Sequence, residues 1–176
     1  MEHKLLYNND IIRNKWGATL DHNHIFAIAR DQSLSVDARI LSLIDLGLAE
    51  LDLSIGILSN ISQSMYLVKL SNVDNLVGQQ FQLGDTYCDI TVGLPSSNAL
   101  AINHFSQSNY ATHPAFRTFQ LETYIGVTVK SRSKIYGTLN FTQREPRQKQ
   151  FGYAEMGFIK ALGMGVSLSL LASLAR

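Results

Sequence analysis

LETYIGVTVKSRSKIYGTLNFT, residues 121–142, consists of two β-rich runs on either side of a polar break at Ser131-Arg132-Ser133. With Lys130 opposite Lys134, the runs pair as an antiparallel hairpin down to Thr123 and Phe141. Successive strand side chains alternate between faces, so Ile125, Val127, Val129, Ile135, Leu139 and Phe141 share one side. Tyr124, Thr128, Tyr136, Thr138, Asn140 and Thr142 share the other, with Gly126 and Gly137 removing bulk near its centre. The first face is wholly apolar and has to be covered. The second is half polar and suits the wall of a cavity better than dry packing.

Two helices are the natural cover. Ser35–Asp52 carries Val36, Ile40, Leu43, Ile44 and Leu51 at helical spacing, with Ser35 as cap and Asp37 in the first turn. Tyr153–Leu174 carries Met156, Ile159, Val166 and Leu170 in one stripe, and Phe158, Leu162, Leu171 and Leu174 around the rest of the cylinder. Gly163 and Gly165 each lower its helix propensity by roughly 1 kcal/mol, a cost offset where backbones pack closely. Leu41 and Leu48 form a second stripe on the first helix. This surplus of apolar surface predicts a homodimer through the two helices.

Between the first helix and the hairpin, Ser54–Ile61 and Met65–Ser71 read as strands. Asn72 to Gln80 is a polar loop, and Phe81 to Asp85 leads into a short helix capped by Asp85. Leu100–His104 is a further strand, followed by an irregular segment containing His113-Pro114-Ala115-Phe116. Residues 1–34 read as an arm or leading helix, in which Leu5, Leu6, Ile11, Ile12 and Trp16 could line one apolar side. His22 and His24 lack a third metal ligand and read as a polar surface turn.

Composition removes several function classes. A chain of 176 residues with 45% hydrophobic and 16% charged residues fits one globular domain. A net charge of +1 lacks the clustered Lys and Arg of a nucleic-acid footprint. One cysteine excludes an internal disulfide framework and Cys-based zinc spacing. No apolar run reaches about 18 residues and the N-terminus has no signal-peptide core, so neither a membrane span nor export is expected. A cytoplasmic location is.

The element order, with the text LGDTYC, AINHF, HPAF, LETYIGVTV and YGTLNFT, closely resembles a GAF domain over roughly residues 35–174. The resemblance implies an α+β, GAF/PAS-like fold: an antiparallel sheet, N- and C-terminal helices on one face, and pocket-forming loops on the other. It implies a non-enzymatic small-molecule-binding sensory module that acts in signal transduction through its terminal helices, on a signalling output protein. A dimerisation or adaptor module with a vestigial pocket is the alternative. The cyclic-nucleotide signature of the family is missing. His104 and His113 have no adjacent cysteine, so covalent bilin is not expected. Free-methionine sulfoxide reductases are the enzymatic rival, but their chemistry needs two thiols and Cys88 supplies one.

Tyr124, Tyr136, Asn140 and Thr142 are expected at a ligand because strand parity puts them on the half-polar face. Phe81, Tyr87 and Cys88 join them from the short helix and its approach, and His104, His113 and Phe116 from the irregular segment. Cys88 near a helix start would be a redox sensor if its pKa were lowered, and a small buried core residue otherwise.

Overall fold

Two tight hairpins organise the chain. The computed structural model describes residues 22–95 and 98–172. The strands β1 (Ile55–Ser62) and β2 (Met65–Ser71) turn through Gln63 and Ser64, both at positive φ. The strands β5 (Thr123–Ser131) and β6 (Lys134–Gln143) turn through Arg132 and Ser133, at φ 48° and 66°. Two positive φ values in succession match the twist of the flanking strands, which is why two-residue loops suffice. With β3 (Gln80–Gln82) and β4 (Ala99–Ile102) they form one antiparallel sheet in the order β3-β2-β1-β6-β5-β4. The edge strand β3 lies where the sequence predicts the end of a loop and the approach to a short helix, and β4 ends two residues before His104.

The register of the central hairpin corrects the expected one. Ser131 stands opposite Lys134, and beyond one irregularity Val129 pairs with Gly137 and Ile125 with Phe141. The tight turn moves the pairing by one residue, and a bulge at Tyr136 moves it by another. A shift of two restores the parity, so the faces of residues 123–129 and 138–142 come out as expected. The bulged stretch does not. Tyr136 packs against the helix-side core and Ile135 is 47% exposed. At Gly137 an added Cβ would sit 1.9 Å from the Ser59 carbonyl oxygen, so the missing side chain lets β1 close on the bulge. A second bulge, at Lys69 in β2, sends Val68 and Leu70 to opposite faces although they are two residues apart.

Two helices, α2 (Val36–Leu51) and α5 (Tyr153–Ala172), lie on the apolar face, and α1 (His22–Arg30) packs against both of them. Ser35 caps α2 by accepting from the Ala38 amide at 3.1 Å, and Asp52 ends it in the left-handed region. Ile40, Leu43, Ile44, Leu58, Val127, Leu139, Phe141, Phe158 and Val166 form the core between helices and sheet. Gly165 lets the α1 residue Ile25 approach, where a Cβ would meet its side chain at 2.8 Å. The first turn of α1 is His22-Asn23-His24, helical rather than a turn, with the His22 ring stacked on Phe158 at 6.4 Å. Part of the apolar surface that the sequence leaves over is therefore covered by α1: Phe158 and Leu162 are fully buried, whereas Met164 and Leu171 remain exposed. By length and composition alone α5 could cross a membrane. Its Phe158, Ile159, Leu162 and Val166 are buried against this chain, as in a core helix. Leu5 to Trp16 lie outside the described residues.

The other face carries α3 (Tyr87–Gly93), α4 (Pro114–Phe119) and short 3-10 turns. Thr86, not Asp85, precedes α3 as its cap residue, and its hydroxyl donates to the Leu83 carbonyl at 2.8 Å. The segment after β6 is tied to the helix layer by Arg147. Its guanidinium donates to the Leu51 carbonyl at the end of α2, pairs with Glu155 at 3.4 Å and lies over the Phe151 ring.

Candidate functional site

Between the half-polar sheet face and the α3–α4 layer lies a cavity of about 290 Å³. Its size is at the lower end of small-molecule sites. Its floor is sheet: Ile55 and Ile57 from β1, Tyr66 and Val68 from β2, Tyr124 from β5, and Asn140 and Thr142 from β6. Phe81 of the edge strand β3, paired with Tyr66, continues that floor; the far wall comes from Thr86, Tyr87, Cys88, Phe119 and Leu121, and Leu76, Gln79 and Arg144 complete the lining. The rings brace one another. Tyr87 meets Phe105 edge-on at 4.5 Å and stacks on Tyr124 at 5.6 Å, while Phe81 meets Phe119 edge-on at 5.2 Å. Such contacts fix ring positions before anything binds.

Several polar groups at and beneath the floor are bonded to one another. The Tyr124 hydroxyl lies 2.7 Å from Thr91 Oγ1 and 3.5 Å from Cys88 Sγ. Thr138 donates its hydroxyl to Cys88 Sγ at 3.0 Å, and Asn140 Nδ2 donates to the same sulfur at 3.4 Å. Ser59 Oγ sits 2.9 Å from Thr138 Oγ1 and accepts the Thr138 amide at 3.0 Å. Gly126 makes room for this arrangement, because a Cβ there would stand 2.4 Å from the Tyr124 hydroxyl. Tyr87 pins the next loop, donating to the Leu121 carbonyl and accepting from the Leu121 amide.

Burial sets the proton chemistry. It pushes the Cys88 thiol up, against the hydrogen bonds from Thr138, Tyr124 and Tyr66 that pull the other way. Tyr66 and Tyr124 are raised well above the ordinary phenol range, first by burial and then by Cys88 beside them. Tyr87 is pushed up to about 12, chiefly by burial. Cys88 starts a helix, yet the desolvation of its 2%-exposed side chain outweighs any help from the helix end. It is a buried neutral thiol.

Of the residues singled out from sequence, Phe81, Tyr87, Cys88, Tyr124, Asn140 and Thr142 line this cavity. Tyr136 does not; the bulge turns it to the helix side. His104 lines a separate groove beside β4 with Asn103, Gln107 and Tyr110. His113 caps α4, accepting the Ala115 amide at Nδ1, with Nε2 3.8 Å from Asp89. Phe116 stacks on Phe105 behind the wall at 5.6 Å. Among the residues missed, Ile55 and Ile57 follow from the alternation of β1, and Arg144 extends the row Asn140, Thr142 by two. Phe119 and Leu121 carry no periodic signal, because irregular backbone places them.

No protein-family model matches the chain, and no curated protein matches it. The likeness is in the fold. The GAF domain of an Acinetobacter phosphoenolpyruvate-protein phosphotransferase superposes with a TM-score of 0.69 at 16% identity, over 88% of this chain and 92% of that one. The phycocyanobilin-bound GAF domain of a cyanobacterial phytochrome gives 0.72 at 12% identity, over 90% and 98%. Free methionine-R-sulfoxide reductase from Neisseria meningitidis, in complex with its substrate, gives 0.68 at 9% identity, over 88% and 89%. The chain has the GAF-domain fold.

Proposed function

We propose that this GAF-fold chain is a non-enzymatic sensory module of the cytoplasm that binds a small molecule between the sheet and the α3–α4 layer and signals through its terminal helices. The observation that carries the reading is the division of labour between the sheet faces. The helix face is packed with fully buried side chains, while the opposite face encloses an aromatic-walled cavity. A fold alone does not set function, so the argument rests on this site. A volume of about 290 Å³ suits a compact ligand rather than a linear tetrapyrrole. Catalysis by the thiol is disfavoured, because Cys88 is the single cysteine, is buried, and is held neutral. Phe141 and Leu139 on β6 pack into the helix layer while Asn140 and Thr142 beside them line the cavity. A ligand that moves β6 therefore moves what α2 and α5 rest on.

Pairing with a second copy through α5 belongs to the same proposal, supported by Met164 and Leu171, which are 58% and 39% exposed on that helix. Thermal-shift screening of a diverse small-molecule library tests the binding, since a ligand of the native state stabilises by RT ln(1 + [L]/Kd). Hits should vanish in Ile57→Phe, which fills the cavity from its floor, and should change amide exchange in α5. A library without hits in the wild type refutes the sensory reading and favours an adaptor with a vestigial pocket.

A further inference from the structure

Among the described residues, one charged side chain lines the cavity, and it stands at the rim. Arg144 follows β6 and continues the row of Asn140 and Thr142, so the row runs from the buried floor to solvent over four residues, or about 13 Å. Asn140 is 3% exposed and Thr142 2%, whereas Arg144 is exposed. Among the described residues no carboxylate stands within 4.0 Å of the Arg144 guanidinium. By contrast Arg147, three residues on, is engaged by Glu155, the Leu51 carbonyl and the Phe151 ring. Among the described residues no Asp, Glu, Lys or His joins the lining.

Resting on the pocket reading above, we propose that the cavity takes a bicyclic aromatic carboxylate, rings inward and acid at Arg144. The walls specify the rings. Tyr66, Phe81, Tyr87, Phe119 and Tyr124 surround the space, and the hydroxyls of Tyr87 and Tyr124 are already bonded to protein. They offer ring surface rather than free polar groups. The volume specifies the size: a cavity of about 150 Å³ holds one benzene, so about 290 Å³ holds two fused rings with a short side chain. The charge specifies the end. An anion at the floor would lose its hydration where the described lining offers only neutral groups and no cation. At the rim it stays partly in water and meets a guanidinium whose paired N–H groups match one carboxylate.

Indole-3-acetate, indole-3-acetamide and tryptamine share the rings and differ in head charge, so calorimetric titration with each reads the head group alone. The acid is expected to bind about tenfold more tightly than the amide, and the amine most weakly. Arg144→Gln, a surface change that leaves the fold intact, should bring the acid down to the affinity of the amide while the amide stays within about twofold. Raising ionic strength from about 0.05 to about 0.5 M should weaken only the acid. Equal affinity for acid and amide, or an acid affinity indifferent to Arg144→Gln, overturns the ligand class while the pocket stands. If no indole binds but library hits are abolished by Ile57→Phe, the class is again wrong and the pocket right. If the library is also silent, the pocket reading fails and takes this one with it.

Discussion

Leu139→Ala tests the partition of the sheet into two faces. Leu139 is fully buried, and its cross-strand neighbours Val127 and Leu58 are 5% and 1% exposed. The substitution removes roughly three methylene equivalents at about 0.8 kcal/mol each, or about 2.4 kcal/mol of transfer free energy. Two helices and a sheet hold the surroundings, so little collapse follows and the residual cavity brings the cost to about 3–4 kcal/mol. For a chain of this length that lowers Tm by about 10 °C. Asn140 is the next residue and just as buried, but its side chain borders an existing cavity and its Nδ2 makes a 3.4 Å bond to a sulfur. Asn140→Ala should therefore cost only about 1 kcal/mol. Urea melts of both variants, with unchanged m-values, give the comparison directly. Equal losses, or a loss below about 1.5 kcal/mol for Leu139→Ala, would refute the division into a packed face and a cavity face.

Stability should fall as pH rises above about 9. Cys88, Tyr66 and Tyr124 have folded-state pKa values above their unfolded ones, so the unfolded chain releases protons that the native one keeps. Their contribution is complete below the unfolded values and lost as pH rises through the folded ones, and in alkaline melts followed by tyrosinate absorbance the ionisation of the buried tyrosines should coincide with unfolding. Native Cys88 should react with a thiol reagent at the rate of global opening, with full reactivity recovered in urea; fast native labelling would contradict its burial. Ser35→Ala should cost about 1 kcal/mol by removing the cap on the Ala38 amide, measured in the same melts. Light scattering at micromolar concentration should give about twice the 19.6 kDa chain mass, reverting to one chain in Met164→Glu combined with Leu171→Glu.

What the sequence by itself determined follows from local periodicity. Alternation over residues 123–129 and 138–142 assigns their faces, and the two-residue error in register leaves that assignment intact because the period of a strand is two. The stripes of Ser35–Asp52 and Tyr153–Leu174 likewise imply two helices on the apolar side, as observed over Val36–Leu51 and Tyr153–Ala172, Leu174 lying outside the described residues. Tertiary structure decided what alternation does not encode. Tyr136 changes face because closing β1 onto Gly137 forces an extra residue into β6, a long-range event with no local signal. His104, His113 and Phe116 miss the cavity because irregular backbone, with no fixed period, sets where they point. Cys88 is a neutral core thiol because two sheet residues and two tyrosines enclose it, and desolvation by distant parts of the chain outweighs its place at a helix start. Arg144 lies one step beyond the row that the sequence makes legible, and only the folded cavity shows that this step ends at its mouth.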